Sequence, residues 1–146
     1  MMIETEPPQK IKFYTTGFAG RDINDLKSLL EALEAALLVD VRFSANSTVM
    51  RWRRIYLKTL LREKYQHVPQ LGNRAFGENK AQIQNLELGI KILVSFNANA
   101  VLMCECLDPQ QCHRRIIADE LRGKGFEVEE LQDWKSGKTV FERFSD

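Results

Sequence analysis

The chain has almost no net charge: 21 basic side chains stand against 20 acidic ones, leaving +1 over 146 residues. Global attraction to a polyanion or an acidic surface is therefore not built into the composition. Long apolar runs are missing too. No stretch approaches the roughly 18 consecutive apolar residues that span a bilayer. Met1 to Lys10 lacks the basic-then-apolar layout of a secretory leader. Cysteine is scarce and odd in number, with three residues at 104, 106 and 112. Such a set points to free thiols in a reducing cytosol rather than to a disulfide framework.

What is present is an ordinary globular composition, 44% hydrophobic and 28% charged. A chain of this length makes one domain and buries a core without disulfide staples. Residues 1–10, with Pro7-Pro8, read as a flexible lead-in, 11–134 as a single α/β domain and 135–146 as a C-terminal tail. Charge is uneven along it. Arg42 to Lys64 holds seven basic residues and one acidic, whereas Asp119 to Asp133 holds six acidic and two basic. The two blocks are either opposed solvated faces or a polarised surface that steers an anionic partner.

Hydrophobic periodicity orders the elements. Ile11–Thr16 reads as a strand ended by Gly17 and Gly20. Asp22 caps a helix carrying Leu26, Leu29, Leu30, Leu33 and Leu37 at helical spacing. Leu37–Val41 and Ala100–Cys104 are nearly continuous apolar runs, the pattern of strands buried on both faces of a parallel sheet. A basic helix is expected over Trp52–Lys64, a short strand over Tyr65–Val68 and a turn at Leu71-Gly72-Asn73. A second amphipathic helix is expected over Lys80–Phe96. Asp108-Pro109-Gln110-Gln111 resembles a helix start, with acid at the N-cap and proline after it. That helix ends near Gly123 and Gly125, and Phe126–Leu131 is the last strand. Strands alternating with helices predict a three-layer α/β fold, a mostly parallel sheet of about five strands flanked by helices.

In such sheets, sites form beyond the carboxyl ends of the strands. That rule selects Gly17, then Asp40, Arg42 and Ser44, then Cys104 and the start of the following helix. Asp40 inside an apolar strand must be paired or hydrogen-bonded. It is either an ion pair with Arg42 that fixes loops or a general base. Cys112, His113 and Arg114 are expected in the second turn of the helix, near its anion-binding end. Cys112 or Cys104 is then a candidate thiol nucleophile, with His113 and Asp40 assisting and Arg42, Arg114, Gly17 and Ser44 holding an anionic ligand. The alternative makes Cys112 a small core residue and His113 a loop brace.

No cofactor is expected. Cys104, Cys106, Cys112 and His113 offer four soft ligands for zinc, but C-x-C-x5-C-H is not a standard zinc spacing. The Cys-x5-Arg signature of phosphatases and sulfurtransferases is also broken, because Cys112 stands six residues after Cys106. Finally, Arg51, Arg54, Lys58 and Arg62 recur three or four apart, with Trp52 and Tyr56 beside them. Cations interleaved with aromatics suit a nucleic-acid-binding surface; the alternative is a solvated helix face.

Gly17, Asp40-Val41-Arg42, His67-Val68-Pro69-Gln70-Leu71-Gly72 and Cys104…Asp108-Pro109…Cys112-His113-Arg114 together resemble the domain of unknown function 488 family. Order and spacing agree over Ile11 to Leu131. The chain departs from the family pattern in three places. Gly17-Phe18-Ala19 replaces a frequent Gly-His-Ser, Cys106 stands where many relatives have glutamate, and the loop with Ser44 and Ser47 lacks a proline. The resemblance implies a small bacterial-type α/β protein and assigns no reaction. Three readings follow: an enzyme-like pocket for a phosphate-bearing or nucleic-acid ligand, a non-catalytic nucleic-acid-binding module built on helix 51–64, and a structural domain without catalysis.

Overall fold

The computed structural model describes residues 11–74, 82–106, 112–135 and 138–140. Among the described residues, six strands form one sheet: β1 (Lys12–Gly17), β2 (Leu37–Asp40), β3 (Tyr65–His67), β4 (Ala100–Cys104), β5 (Glu127–Asp133) and β6 (Lys138–Val140). Their order is β3-β2-β4-β1-β5-β6. The first five are parallel, and β6 closes one edge antiparallel to β5. The expected three-layer α/β architecture with a mostly parallel sheet is what the chain adopts. The run Ala100–Cys104 is buried throughout because it lies at the centre of the sheet with both faces covered.

Among the described residues, four α-helices cover those faces: α1 (Leu26–Ala32), α2 (Arg54–Leu61), α3 (Leu86–Ser95) and α4 (Arg114–Gly123). Successive residues of β1, β2 and β4 feed two separate cores, as the twofold period of a strand requires. Tyr14, Leu38, Val101 and Met103 pack with Leu29 and Leu30 of α1 and Leu57 of α2. Phe13, Val39, Leu102 and Cys104 pack with Ile90 and Leu93 of α3 and Ile117 and Leu121 of α4. Neighbouring strands β2 and β4 therefore send their following helices to opposite faces. Their loops diverge and leave a crevice at the carboxyl ends.

Several boundaries differ from the sequence expectation. Leu37 opens β2 instead of continuing the first helix, because the chain leaves α1 through Glu34 at φ 54°. The basic helix is regular only over Arg54–Leu61; Met50–Trp52 and Arg62–Lys64 are single 3-10 turns. Arg62, at φ 56°, breaks the helix. α3 starts at Leu86 because the Asn85 side chain accepts from the Leu88 N–H at 3.1 Å. Ile83 forms a bridge with Asn73 instead of helix. The proposed helix start at 108–111, the beginning of the 80–96 helix and the 1–10 lead-in lie outside the described residues. β6 falls within the segment read as a tail. Among the described residues, no helix is long and apolar enough to cross a membrane.

The register places Gly17 beside Cys104, and Asp40 beside Met103. Beyond the strands the ladder continues, as Phe18 N–H donates to Cys104 O at 2.9 Å and Ala19 N–H to Glu105 O at 3.0 Å. This folds the 105–106 loop over β1 so closely that a Cβ on Gly17 would lie 1.5 Å from Cys106 O. Gly17 is needed for that approach and not for a turn. Gly17→Ala is expected to destabilise the fold by ~3 kcal/mol, because backbone must move. Urea unfolding of the variant checks this, and an unchanged midpoint would mean the loop yields without cost.

Candidate functional site

Two buried charge networks frame the crevice. At the end of β2, Asp40 is fully buried. Its Oδ1 accepts from Arg42 Nε at 2.8 Å and from the Arg42 N–H at 3.2 Å. Its Oδ2 accepts from Arg42 Nη2 and from the Tyr65 hydroxyl, each at 2.6 Å. Arg42 Nη2 also donates to Trp52 O at 2.7 Å. Burial beside the Asp40 carboxylate drives the Tyr65 phenol well above its ordinary range. Every lone-pair direction of Asp40 is thus occupied, and the geometry is that of an ion pair fixing the loop after β2. Tyr65, which sequence reasoning passed over, completes it.

The second network begins at Arg114, whose side chain is almost fully buried. Its Nε and Nη2 grip Glu130 of β5 at 3.1 and 2.7 Å. Glu130 also accepts from the Thr15 hydroxyl of β1 at 2.7 Å. The remaining nitrogen, Nη1, donates to Cys104 Sγ at 3.1 Å and to Cys106 O. Arg114 therefore faces inward onto sulfur and carbonyl instead of outward as an anion clamp. Glu130 is the partner that sequence reasoning missed; β5 reads EVEELQD, so no apolar run marked this acid as Leu37–Val41 marked Asp40.

Between these networks sit the thiols. His113 is the N-cap of α4 and Arg114 its first residue, so Cys112 precedes the helix instead of lying in its second turn. Cys104 Sγ and Cys112 Sγ are 2.8 Å apart, both buried and both free. His113 Nε2 lies 2.9 Å from Val41 O, and Nδ1 lies 3.6 Å from Cys112 Sγ. A carbonyl can only accept, so Nε2 carries a proton and Nδ1 is the nitrogen that serves the thiol.

The Cys104 thiol, donating to Cys112, together with His113 and the Arg114 N–H, holds Cys112 down at about 3 against the opposing effect of burial. Burial likewise opposes charge on His113, but the Cys112 thiolate outweighs it and raises the imidazole. Burial, the Cys106 side chain and the neighbouring Cys112 push Cys104 well up, so it keeps its proton. Negative charge is favoured on Cys112, with the His113 imidazole beside that sulfur and the Arg114 guanidinium beside Cys104.

A cavity of about 280 Å³ opens onto this cluster, lined among others by Arg42, Ser44, Arg74, Cys104, Cys106 and His113. Arg42, Ser44, Cys104 and His113 are thus brought together as expected. Gly17 lies under the Cys106 carbonyl, and Cys112 stands behind Cys104. Among the described residues, no three His, Cys, Asp or Glu side chains converge to hold a metal.

The basic stripe divides. Trp52 is 3% exposed, stacked on Phe18 at 4.4 Å and set edge-on to Trp134 at 5.8 Å. No base can stack on it, which corrects its placement in a nucleic-acid surface. Arg51 lines a separate hollow with Arg21 and Asp22. Arg54, Lys58 and Arg62 stay together beside β3.

No protein-family model matches the chain. No curated protein matches it either. The chemistry of the crevice is therefore read from its own geometry.

Two outcomes are expected. Asp40→Asn leaves Arg42 buried without a counter-charge and should cost about 3–5 kcal/mol by urea unfolding; a loss below 1 kcal/mol, of the size of an exposed pair, would contradict the burial. A thiol ionising at about 3 stays a thiolate at every higher pH, so haloacetamide alkylation of the pair should be nearly flat between about pH 5 and 8. An ordinary thiol slows about tenfold per unit below ~8.5. A profile of that kind would show that the sulfurs share no negative charge.

Proposed function

We propose that the chain is a thiol-dependent enzyme whose crevice takes a small phosphate-bearing ligand. The observation that carries this reading is the sulfur pair, 2.8 Å apart and flanked by two cations, at the wall of the 280 Å³ cavity. Cys104 faces the cavity and Cys112 does not line it. In the reaction, Cys104 Sγ attacks the electrophilic atom of the ligand while its proton passes to the Cys112 thiolate, so that no free Cys104 thiolate forms beforehand, and the bond to the leaving group breaks as the sulfur bond forms. His113 gives its Nδ1 proton to the departing group. Arg114 stabilises the negative charge on Cys104 Sγ during transfer. Arg42, whose Nη1 has no hydrogen bond among the described residues, and Arg74 supply positive charge for the anion. Asp40 acts by holding Arg42. The meeting of Gly17, Asp40, Arg42, Cys104, Cys112, His113 and Arg114 at one crevice also supports kinship with the domain of unknown function 488 family, and free thiols suit a reducing cytoplasm.

Alkylation of Cys104 in the presence of inorganic phosphate tests the reading. Phosphate should slow it severalfold, and Arg74→Ala, at an exposed position, should relieve that protection. Alkylation indifferent to phosphate overturns the anionic ligand.

A second reading, a nucleic-acid-binding surface, is favoured by a separate feature. Arg54, Lys58, Arg62 and His67 line an open groove of about 470 Å³ between α2 and β3. With Trp52 buried, contact there would be to phosphates and not to bases. Replacing Arg54 and Lys58 by Ala should then reduce the salt slope of duplex binding by roughly 2. An unchanged slope rules the groove out.

A further inference from the structure

A nucleophilic enzyme needs one thiol, and this crevice holds two in contact. Cys104, at the end of β4, is 1% exposed, and Cys112, ahead of α4, is 6% exposed. Their sulfurs lie 2.8 Å apart, whereas a disulfide needs about 2.05 Å. Less than about 1 Å of closure separates the contact from a covalent bond. The supports of the two sulfurs are fixed independently. Arg114 is clamped by Glu130 and held on Cys104 Sγ at 3.1 Å. His113 is clamped by Val41 O and set 3.6 Å from Cys112 Sγ. Close packing of apolar thiols requires neither cation. An imidazole beside one sulfur and a guanidinium beside the other favour negative charge on the pair, and a thiolate is the form that oxidation and disulfide formation use.

We propose that the Cys104–Cys112 pair reduces hydroperoxides, with Cys104 as the attacking sulfur and Cys112 as the resolving one. The inference rests on the shared thiolate of the proposed function and adds the class of oxidant. Cys104 Sγ attacks the terminal peroxide oxygen as its proton passes to the Cys112 thiolate. The O–O bond breaks, Cys104 becomes a sulfenic acid, and the departing alkoxide or hydroxide takes a proton from His113. Neutral His113 then removes the Cys112 proton through Nδ1. Cys112 Sγ attacks the sulfenic sulfur, the S–S bond forms, and the hydroxide released leaves as water with that proton. One hydroperoxide and two thiols become one alcohol or water, one further water and a disulfide. Two electrons from an external thiol restore the pair. The small cavity favours hydrogen peroxide and short hydroperoxides over bulky ones.

The test treats the reduced full chain with hydrogen peroxide at pH 7 and maps its cysteines by mass spectrometry. The expected product is a Cys104–Cys112 disulfide with Cys106 still free, formed roughly tenfold or more faster than a free cysteine is oxidised, because the Cys104 proton has an acceptor and its sulfur a resolving partner already in contact. Dithiothreitol should reverse it. Cys112→Ser should stop at a Cys104 sulfenic acid that dimedone traps. A disulfide through Cys106, or oxidation no faster than free cysteine, overturns the proposal, and the wild-type map decides this even if the variant does not fold. Alkylation measured alongside separates the two readings. Fast alkylation at low pH without disulfide formation defeats only the peroxide chemistry; slow alkylation with slow oxidation defeats the shared thiolate as well.

Discussion

The crevice depends on a guanidinium sealed from water. Arg114 begins α4, yet its side chain turns inward to the sheet and finds its counter-charge on β5. An unpaired cation there would cost several kcal/mol. The pairing with Glu130, itself held by Thr15 of β1, therefore locks helix, two strands and the loop after β4 into one arrangement. The nitrogen left over donates to Cys104 Sγ and the Cys106 carbonyl. The electrostatics of the thiols follow from that constraint.

Asp40 and Arg42 repeat the device on the neighbouring strand. There the carboxylate lies on the strand and the guanidinium on the loop, with Tyr65 from β3 closing the fourth side. The two braces approach from opposite directions, and His113 links them by resting on Val41 O while serving Cys112. The thiols are placed by networks whose charged and polar side chains come from β1, β2, β3 and β5, which is why a short local motif does not describe the site by itself.

Much of the scaffold was legible because apolar runs and helical stripes encode which faces are covered. Leu37–Val41 and Ala100–Cys104 announce doubly buried strands directly. Boundaries were less legible: Leu37 satisfies the helical period and the strand run equally, and nothing local shows that Glu34 turns the chain first. At the site, chain order brought forward Asp40, Arg42, Cys104, Cys112 and His113. It missed Glu130, because that acid stands in an acidic block, beside Glu129, and only its distant partners Arg114 and Thr15 show that it is buried. Trp52 misled for the opposite reason. An aromatic beside arginines looks like an interface, and only its distant partners Phe18 and Trp134 reveal that it is core. The inward turn of Arg114 depends on β5 lying beside β1, which no local pattern records.

The sheet ends differently on its two sides. One edge is covered by antiparallel β6, whereas the other is β3, three residues long and without a neighbour beyond it among the described residues. An open edge offers unpaired backbone groups to another molecule's strand. Here Arg62 and Lys64 stand immediately before it, and Arg54 and Lys58 line the groove alongside. Two copies approaching edge to edge would bring these cations together, so the basic stripe keeps the chain from adding a second sheet to its own. Neutralising the stripe therefore carries a cost in self-association at high concentration that is separate from whatever the groove binds.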